Sequence, residues 1–321
     1  MPDSSPRWTS LALLPLLFAA ATASPARATP LKPETKQKLI ALRTAIKTWA
    51  PICDGALALS QPPQCTQGDM VEYSGMSCAG GDTARCQDLK RSQGADGRFW
   101  RSPNRVDTDK GDTFSRDMLM GVFDYALATK DKAALERYYE YLRGHKNKMC
   151  PDASDNRCHL LPGTWGIFGL VMKQLGIHRP ALIVAAKGTI DIDLLLGANT
   201  VPAGYQMELV AHHVMVRRAL GQDTAVMKEA ARHIAKKQPL NPLFVWLRDG
   251  ATEEAAALAQ EICKPTKGAL ANDIFFQREL KRNAAGEIIV IRDWHEPVPP
   301  KASDVANGHD CLIVLNWLIA G

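Results

Sequence analysis

The chain has 321 residues, of which 46% are hydrophobic and 23% are charged, and its formal net charge is +5. So small a positive excess, with no arginine-rich patch, argues against nucleic acid as a partner. Past the N-terminal region no apolar stretch reaches the roughly 20 residues that a transmembrane helix needs, so no transmembrane segment is expected.

Residues 1–28 have the pattern of a secretion signal peptide. Arg7 is the basic flank, Leu11–Ala23 is a short apolar run, and small residues mark cleavage after Ala23 or Ala28. The sequence therefore predicts an exported chain, secreted or periplasmic. Its mature part, residues 29–321, has a net charge of +4 and is expected to form a single domain; its oligomeric state is left open.

All eight cysteines follow this leader, and an even number in an exported chain predicts disulfides. Zinc binding would favour two close Cys-x-x-Cys pairs, which the sequence lacks. Eight cysteines allow about 105 sets of disulfide pairs, so their spacing favours one set without establishing it. The favoured set has three local disulfides and one long-range disulfide: Cys53–Cys65, Cys78–Cys86, Cys150–Cys158 and Cys263–Cys311.

The first half of the mature chain contains a helix, a long irregular stretch and a helical hairpin. Apolar spacing predicts a helix from Pro33 to about Ala50. Residues 51–113 are rich in Gly, Pro and Asp and carry four cysteines, so we expect a disulfide-rich loop insertion that is functional, pinned by disulfides, or both. Two helices follow, one capped by Ser115 and one running from an Asp131 cap to Gly144.

The second half continues in helix pairs. Further helices are predicted over 165–175, 180–187, 205–220, 242–250 and 252–263, with one capped by Asp223 and a last one from about 307. A β-branched run before residue 294 predicts a small β-hairpin near 274–294. The first members of the pairs recur every 40–50 residues or so, which indicates stacked antiparallel helical hairpins. The predicted fold is mainly all-α, with an α/α toroid favoured over an open solenoid.

Polar and aromatic residues gather where the first helix of each pair begins. If the hairpins close into a ring, these helix starts share one rim, where acids can act as proton donor and base and flat rings can stack on sugars. The sequence thus predicts Asp117 and Asp310 as catalytic carboxylates. The predicted substrate-binding residues are Trp100, Arg116, Trp165, Tyr205, Glu208, Trp294 and His309.

Three of these residues also have a purely structural interpretation. Asp117 could cap its helix and pair with Arg116, and Asp310 could likewise be a helix cap. Trp165 begins an apolar helix and could belong to the core. Trp100 stands in a loop between aromatic and arginine neighbours, and loops of this kind commonly carry binding residues.

Glu208 and His212 lie one helical turn apart and could share a metal ion. A zinc site needs three protein ligands, and no third ligand stands nearby, so a hydrogen-bonded pair on a helix surface is the favoured interpretation. The sequence also lacks a Gly-x-Ser-x-Gly motif, a phosphate-binding loop and a dinucleotide fingerprint. No metal and no cofactor are predicted.

An exported chain of helical hairpins with aromatic loops and an Arg-Asp pair at a helix start resembles the α/α-toroid carbohydrate-active enzymes. These are the six-hairpin glycosidases and the related lyases. The similarity covers roughly residues 96–321 and rests on Phe114–Asp117 and Gly308–Asp310. It implies cleavage of a glycosidic bond in a polysaccharide or glycan by acidic residues at the mouth of the toroid. The alternative function is a non-enzymatic, disulfide-braced helical binding protein.

Overall fold

The computed structural model describes residues 30–63, 65, 68–108, 111, 113–152, 158–179, 189–202, 204–266, 276, 278–293 and 308–321. The predicted signal peptide, the short helix over 180–187 and Trp294 lie outside these ranges.

Twelve α-helices make up most of the described chain, which confirms the prediction of a mainly helical protein. They are α1 (Pro33–Lys47), α2 (Met70–Ala79), α3 (Thr83–Arg91), α4 (Arg116–Thr129), α5 (Lys132–Gly144), α6 (Pro162–Gln174), α7 (Thr189–Thr200), α8 (Tyr205–Ala219), α9 (Ala225–Lys237), α10 (Pro242–Asp249), α11 (Glu253–Ile262) and α12 (His309–Ala320).

The strands form two small antiparallel pairs. Strand β1 (Ile52–Cys53) pairs with β2 (Ala56–Leu57), and β3 (Arg278–Arg282) pairs with β4 (Ile288–Asp293). The second pair confirms the predicted β-hairpin. Gly286 has φ +84° in its turn, a conformation that glycine adopts without a steric penalty.

The prediction that residues 51–113 form a loop insertion is wrong for its central part, which contains α2 and α3. Helix α2 was not predicted from the sequence because Ser74, Gly75 and Ser77 have low helix propensity. Tertiary packing compensates for that propensity, since α2 is buried along nearly its whole length. The Cys78–Cys86 bridge then joins the end of α2 to α3.

Helices α2 and α4 cross at Gly75 and Gly121 with their backbones almost in contact. A Cβ atom added to Gly75 would lie 2.2 Å from the carbonyl oxygen of Gly121, and one added to Gly121 would lie 2.5 Å from that of Val71. Any side chain would force the helices apart, because such distances are far below van der Waals contact. Polar groups of α2 and α4 are therefore held side by side.

Two hydrophobic clusters form the core, and α2 contributes to both of them. Met70 and Met76 belong to a cluster built mostly from α1 and α7–α12, whereas Val71 belongs to a cluster built mostly from α3–α6. Helix α1 packs against α12, so the first and last described helices are neighbours. No helix in the described ranges has the length and apolar character required to cross a membrane.

The four disulfides pair as the sequence spacing favours: Cys53–Cys65, Cys78–Cys86, Cys150–Cys158 and Cys263–Cys311. No cysteine is free. Such a set fits an oxidising compartment.

Helix caps and boundaries depart from the sequence prediction in several places. Asp131 caps α5 as predicted, whereas α9 is capped by Thr224 and not by Asp223. Ser115 occupies the N-cap position of α4, but its hydroxyl bonds to the carboxylate of Asp117 and caps no backbone N–H. Helix α7 was not predicted; its Asp-Ile-Asp start and Gly-Ala-Asn-Thr end give weak helical periodicity.

We predict that Gly75→Ala lowers the free energy of unfolding by about 3 kcal/mol, because the added methyl group overlaps the backbone of α4. Gly144→Ala is the control: it also lies in a helix, but its Cβ would meet nothing within 4 Å. We expect it to change stability by no more than about 1 kcal/mol. Denaturant unfolding measures both variants, and equal effects would contradict the close crossing.

We also predict that the long-range disulfide stabilises the fold more than a local one does. Cys263–Cys311 closes 48 residues and Cys78–Cys86 closes 8. In the chain-entropy model, replacing each pair by alanine costs about 4 and about 2.5 kcal/mol respectively. Equal losses in denaturant unfolding would show that strain or local packing, and not loop length, sets the contribution.

Candidate active site

Three carboxylates meet where α2 and α4 begin. Asp69 precedes α2, Glu72 lies in its first turn, and Asp117 lies in the first turn of α4. One carboxylate oxygen from each residue lies within 4.8 Å of the other two. Asp69 and Asp117 are partly exposed and Glu72 is fully buried. We call these three residues the acidic trio.

Glu72 holds its proton more tightly than an ordinary glutamate. Burial raises its pKa well above the usual 4.5, and the negative charges of Asp117 and Asp69 raise it further. Its Oε2 atom is buried and has no hydrogen-bond partner among the described residues. The buried member of the trio is therefore the one that favours the neutral carboxylic acid.

His212, on α8, joins Glu72 to a fourth carboxylate. Its Nδ1 atom lies 3.3 Å from Oε1 of Glu72, and its Nε2 atom lies 2.7 Å from Oδ2 of Asp124. All three side chains are buried. A protonated Glu72 can donate to Nδ1 while Nε2–H donates to Asp124, so the three groups can form one continuous hydrogen-bonded chain.

Asp69 and Asp117 differ in what they contact. Asp69 forms an ion pair with Arg101, whose Nη2 atom lies 2.7 Å from its Oδ1. Arg101 also donates to the carbonyl of Thr113, which fixes its guanidinium beside the trio. Asp117 accepts from the Ser115 hydroxyl and, at 3.0 Å, from the Met118 N–H. Asp69 thus faces a cation, whereas Asp117 faces only neutral donors in these contacts.

Two further carboxylates lie around Tyr73, the residue after Glu72. Burial raises the pKa of Tyr73 well above 10, and the charges of Asp310 and Glu208 add to the shift. Asp310 also acts on Glu72. The charges of Asp117 and Asp310 both act on Glu72, but Asp310 is buried and accepts from the Phe276 N–H at 2.8 Å. That bond ties the chain before β3 to α12.

The two described tryptophans that were predicted to bind substrate contact other protein side chains. Trp100 is only 4% exposed, and the Arg98 guanidinium lies 3.9 Å above its ring, so it offers no open face to a sugar. The ring of Trp165 stacks on Phe168 with a centroid distance of 5.7 Å, as in its core interpretation. The side chain of Tyr205 lies outside the described part of the structure, as does Trp294.

His309 and Arg116 have separate surroundings. His309 is buried and donates from Nε2 to the carbonyl of Ala58 at 2.7 Å. Burial lowers its pKa to about 4, against the opposing effect of that hydrogen bond. Arg116 lines a cavity between α4, α6, α7 and α8.

The interpretation of Glu208 and His212 as a pair on a helix surface is wrong, because both side chains are buried. Their helix is covered by α4, α7, α9 and α10. His212 contacts carboxylates of α2 and α4 that are far away in sequence. The potential metal ligands are instead the acidic trio, the three acidic residues among those described whose oxygens converge closely enough.

Asp69, Glu72 and Asp124 were not predicted as site residues from the sequence. One signal was available for Asp124: it follows Asp117 by seven residues, on the same face of an otherwise apolar helix. A carboxylate there must be buried and paired. For Glu72 the signal was weaker, since it required α2 to be recognised as a helix.

Comparisons with models of known protein families and with curated proteins give no match. The site must therefore be interpreted from its own chemistry.

We predict that Glu72→Gln stabilises the folded protein increasingly as pH rises. Because the folded-state pKa of Glu72 is raised, the folded state binds the proton more tightly, and stability falls as pH rises above 4.5 towards that pKa. Glutamine removes this loss. The melting temperature of Glu72→Gln should therefore exceed that of the wild type by more at pH 8 than at pH 5.

Glu136→Gln is the matched control, because Glu136 on α5 is partly exposed, with 41% of its side chain accessible. Its effect should be nearly constant over the same pH range. A pH-independent difference for Glu72→Gln would mean that Glu72 titrates as an ordinary exposed glutamate.

Proposed function

We propose that this chain is an exported enzyme that cleaves glycosidic bonds in a polysaccharide or glycan by carboxylate acid–base catalysis. The observation that carries the proposal is the acidic trio, in which two partly exposed carboxylates lie beside a buried carboxyl group whose pKa is raised well above its usual value. Glycoside cleavage needs one proton donor and one ionised carboxylate in the same place.

The surroundings of the trio suggest a role for each member. Arg101 places a positive charge against Asp69, which suits an ionised carboxylate acting as nucleophile or base. Asp117 is partly exposed, so a substrate can reach it, and we assign it as the acid that protonates the leaving oxygen. Glu72 is too deeply buried to touch a substrate. It is a positioning residue that, with His212, holds a proton next to Asp117.

Further observations support the substrate class and the ring-shaped fold. The packing of α1 on α12 favours hairpins that close on themselves, as in the toroid enzymes. The four disulfides fit the export that the leader sequence predicts. One oxygen from each member of the trio lies within 4.8 Å of the others, so two of these carboxylates are close enough to act on one glycosidic bond.

We predict that Asp117→Asn lowers turnover on a panel of polysaccharides and bacterial glycans by at least about 100-fold, the usual contribution of a general acid. The asparagine oxygen can still accept from Ser115 and Met118, so the melting temperature should hardly change. Asp223→Asn, on an exposed aspartate that pairs with Lys228, is the control and should keep full turnover.

Three outcomes would contradict the enzyme assignment. Glycan binding without turnover by the wild type would favour the helical binding protein. A melting temperature that collapses in Asp117→Asn would make this aspartate structural. A rise in melting temperature with millimolar Ca²⁺, abolished by Asp117→Asn, would make the trio a cation site, since oxygen ligands suit calcium.

A further inference from the structure

A second site lies beside the acidic trio, on a different face of α4. It is a cavity of ≈ 600 Å³ between α4, α6, α7 and α8, a size typical of small-molecule sites. Its walls are mainly aliphatic; the apolar side chains are Met120, Leu161, Ile167, Leu194, Leu196, Val201, Leu209 and Val210. An aliphatic ligand would therefore be removed from water on several sides.

The aliphatic surface continues from the cavity to the outside. Leu161 and Leu196 are 46% and 57% exposed, although both line the cavity. They are two of the five large hydrophobic residues found exposed in the described part of the protein. Leucines exposed at the edge of an aliphatic cavity are typical of a ligand-binding groove.

The polar groups of the cavity favour a negative charge. Among the described lining residues Arg116 carries the only full charge. His213 also lines the cavity, and burial lowers its pKa to about 3, so it is neutral at physiological pH. No carboxylate belongs to this part of the lining. An anionic group could thus bind Arg116 without meeting a carboxylate among the described lining residues.

Two helix N-termini add to this preference. Gly163 and Thr164, in the first turn of α6, and Gln206, in the first turn of α8, all line the cavity. The N-cap residues of these helices, Leu161 and Gly204, make no side-chain cap. First-turn N–H groups and the positive ends of helix dipoles generally favour a bound anion.

We infer that this cavity binds an anionic amphiphile, a linear aliphatic chain with a carboxylate head group. The chain lies along the leucine-lined groove, and the carboxylate is held by Arg116 and the N-termini of α6 and α8. The inference is independent of the proposed glycosidase activity, since it uses none of the acidic trio.

Titration calorimetry with laurate, below its micelle concentration, tests this inference on the full mature chain. We expect one laurate per protein and binding at least about tenfold weaker for dodecanol, which has the same chain length and no charge. Arg116→Gln should weaken laurate about tenfold and leave dodecanol unchanged. Equal affinities for laurate and dodecanol, or unchanged laurate binding in Arg116→Gln, would overturn the anion site.

A pair of variants on α7 tests the location. Leu196→Glu places a negative charge at the cavity and should weaken laurate at least about tenfold. Ile192→Glu is the matched control: Ile192 is 59% exposed one turn earlier on α7 and is not part of the lining. Both substitutions are at exposed positions, so folding should persist, which circular dichroism checks. Equal weakening by the two variants, or no laurate binding by the wild type, would overturn the proposal.

Discussion

The crossing of α2 and α4 at Gly75 and Gly121 governs the arrangement of the polar groups in this protein. With no Cβ on either side, the two helix backbones approach closely enough for Glu72 to lie next to Gly121. Of the two carboxylates of α4 one turn before and after that glycine, Asp117 is then held within 4.8 Å of Glu72 and Asp124 is joined to Glu72 through His212. A side chain at either glycine would separate the helices and disperse these charges.

This crossing has an electrostatic cost that the surrounding structure offsets. Burial raises the pKa of Glu72, and the negative charges of Asp117 and Asp69 raise it further, so protonation of Glu72 relieves both desolvation and repulsion. Arg101 neutralises Asp69 on one side, and His212 bridges Glu72 and Asp124 on the other. Structural ion-pair networks also perturb pKa values, but this one reaches the surface through Asp69 and Asp117. That exposure is what distinguishes a usable site from a buried polar network.

How far the sequence could predict the structure depended on whether the signal was local. The helices with strong apolar stripes and a clear cap, such as α5 after Asp131 and α11 after Thr252, were predicted close to their observed bounds. The cysteine spacing favoured the observed disulfides because three of the pairs are local. Helix α2 was missed because its stability comes from packing against α4, which propensity and periodicity do not encode.

Only part of the candidate site could be predicted from the sequence, because the rest of it depends on tertiary packing. Asp117 was identified from its position at a helix start, but its partners come from α2, and the identity of those partners depends on tertiary packing. Glu208 and His212 were recognised as a pair, yet their burial could not be inferred from a helix that carries polar residues on several faces. The toroid resemblance directed attention to Asp310, whose carboxylate bonds to the backbone of Phe276 instead.

The proposed site depends on a raised pKa of Glu72, which lies buried at the base of two partly exposed carboxylates. The most direct measurement is a pH titration of the side-chain carboxyl carbons of ¹³C-labelled glutamates by NMR, with the Glu72 signal assigned from its absence in Glu72→Gln. The account predicts a Glu72 midpoint well above 4.5 that falls when Asp117 is replaced by asparagine, because Asp117 contributes the largest charge effect after burial. A Glu72 signal that titrates near 4.5, or one that does not respond to Asp117→Asn, would contradict it.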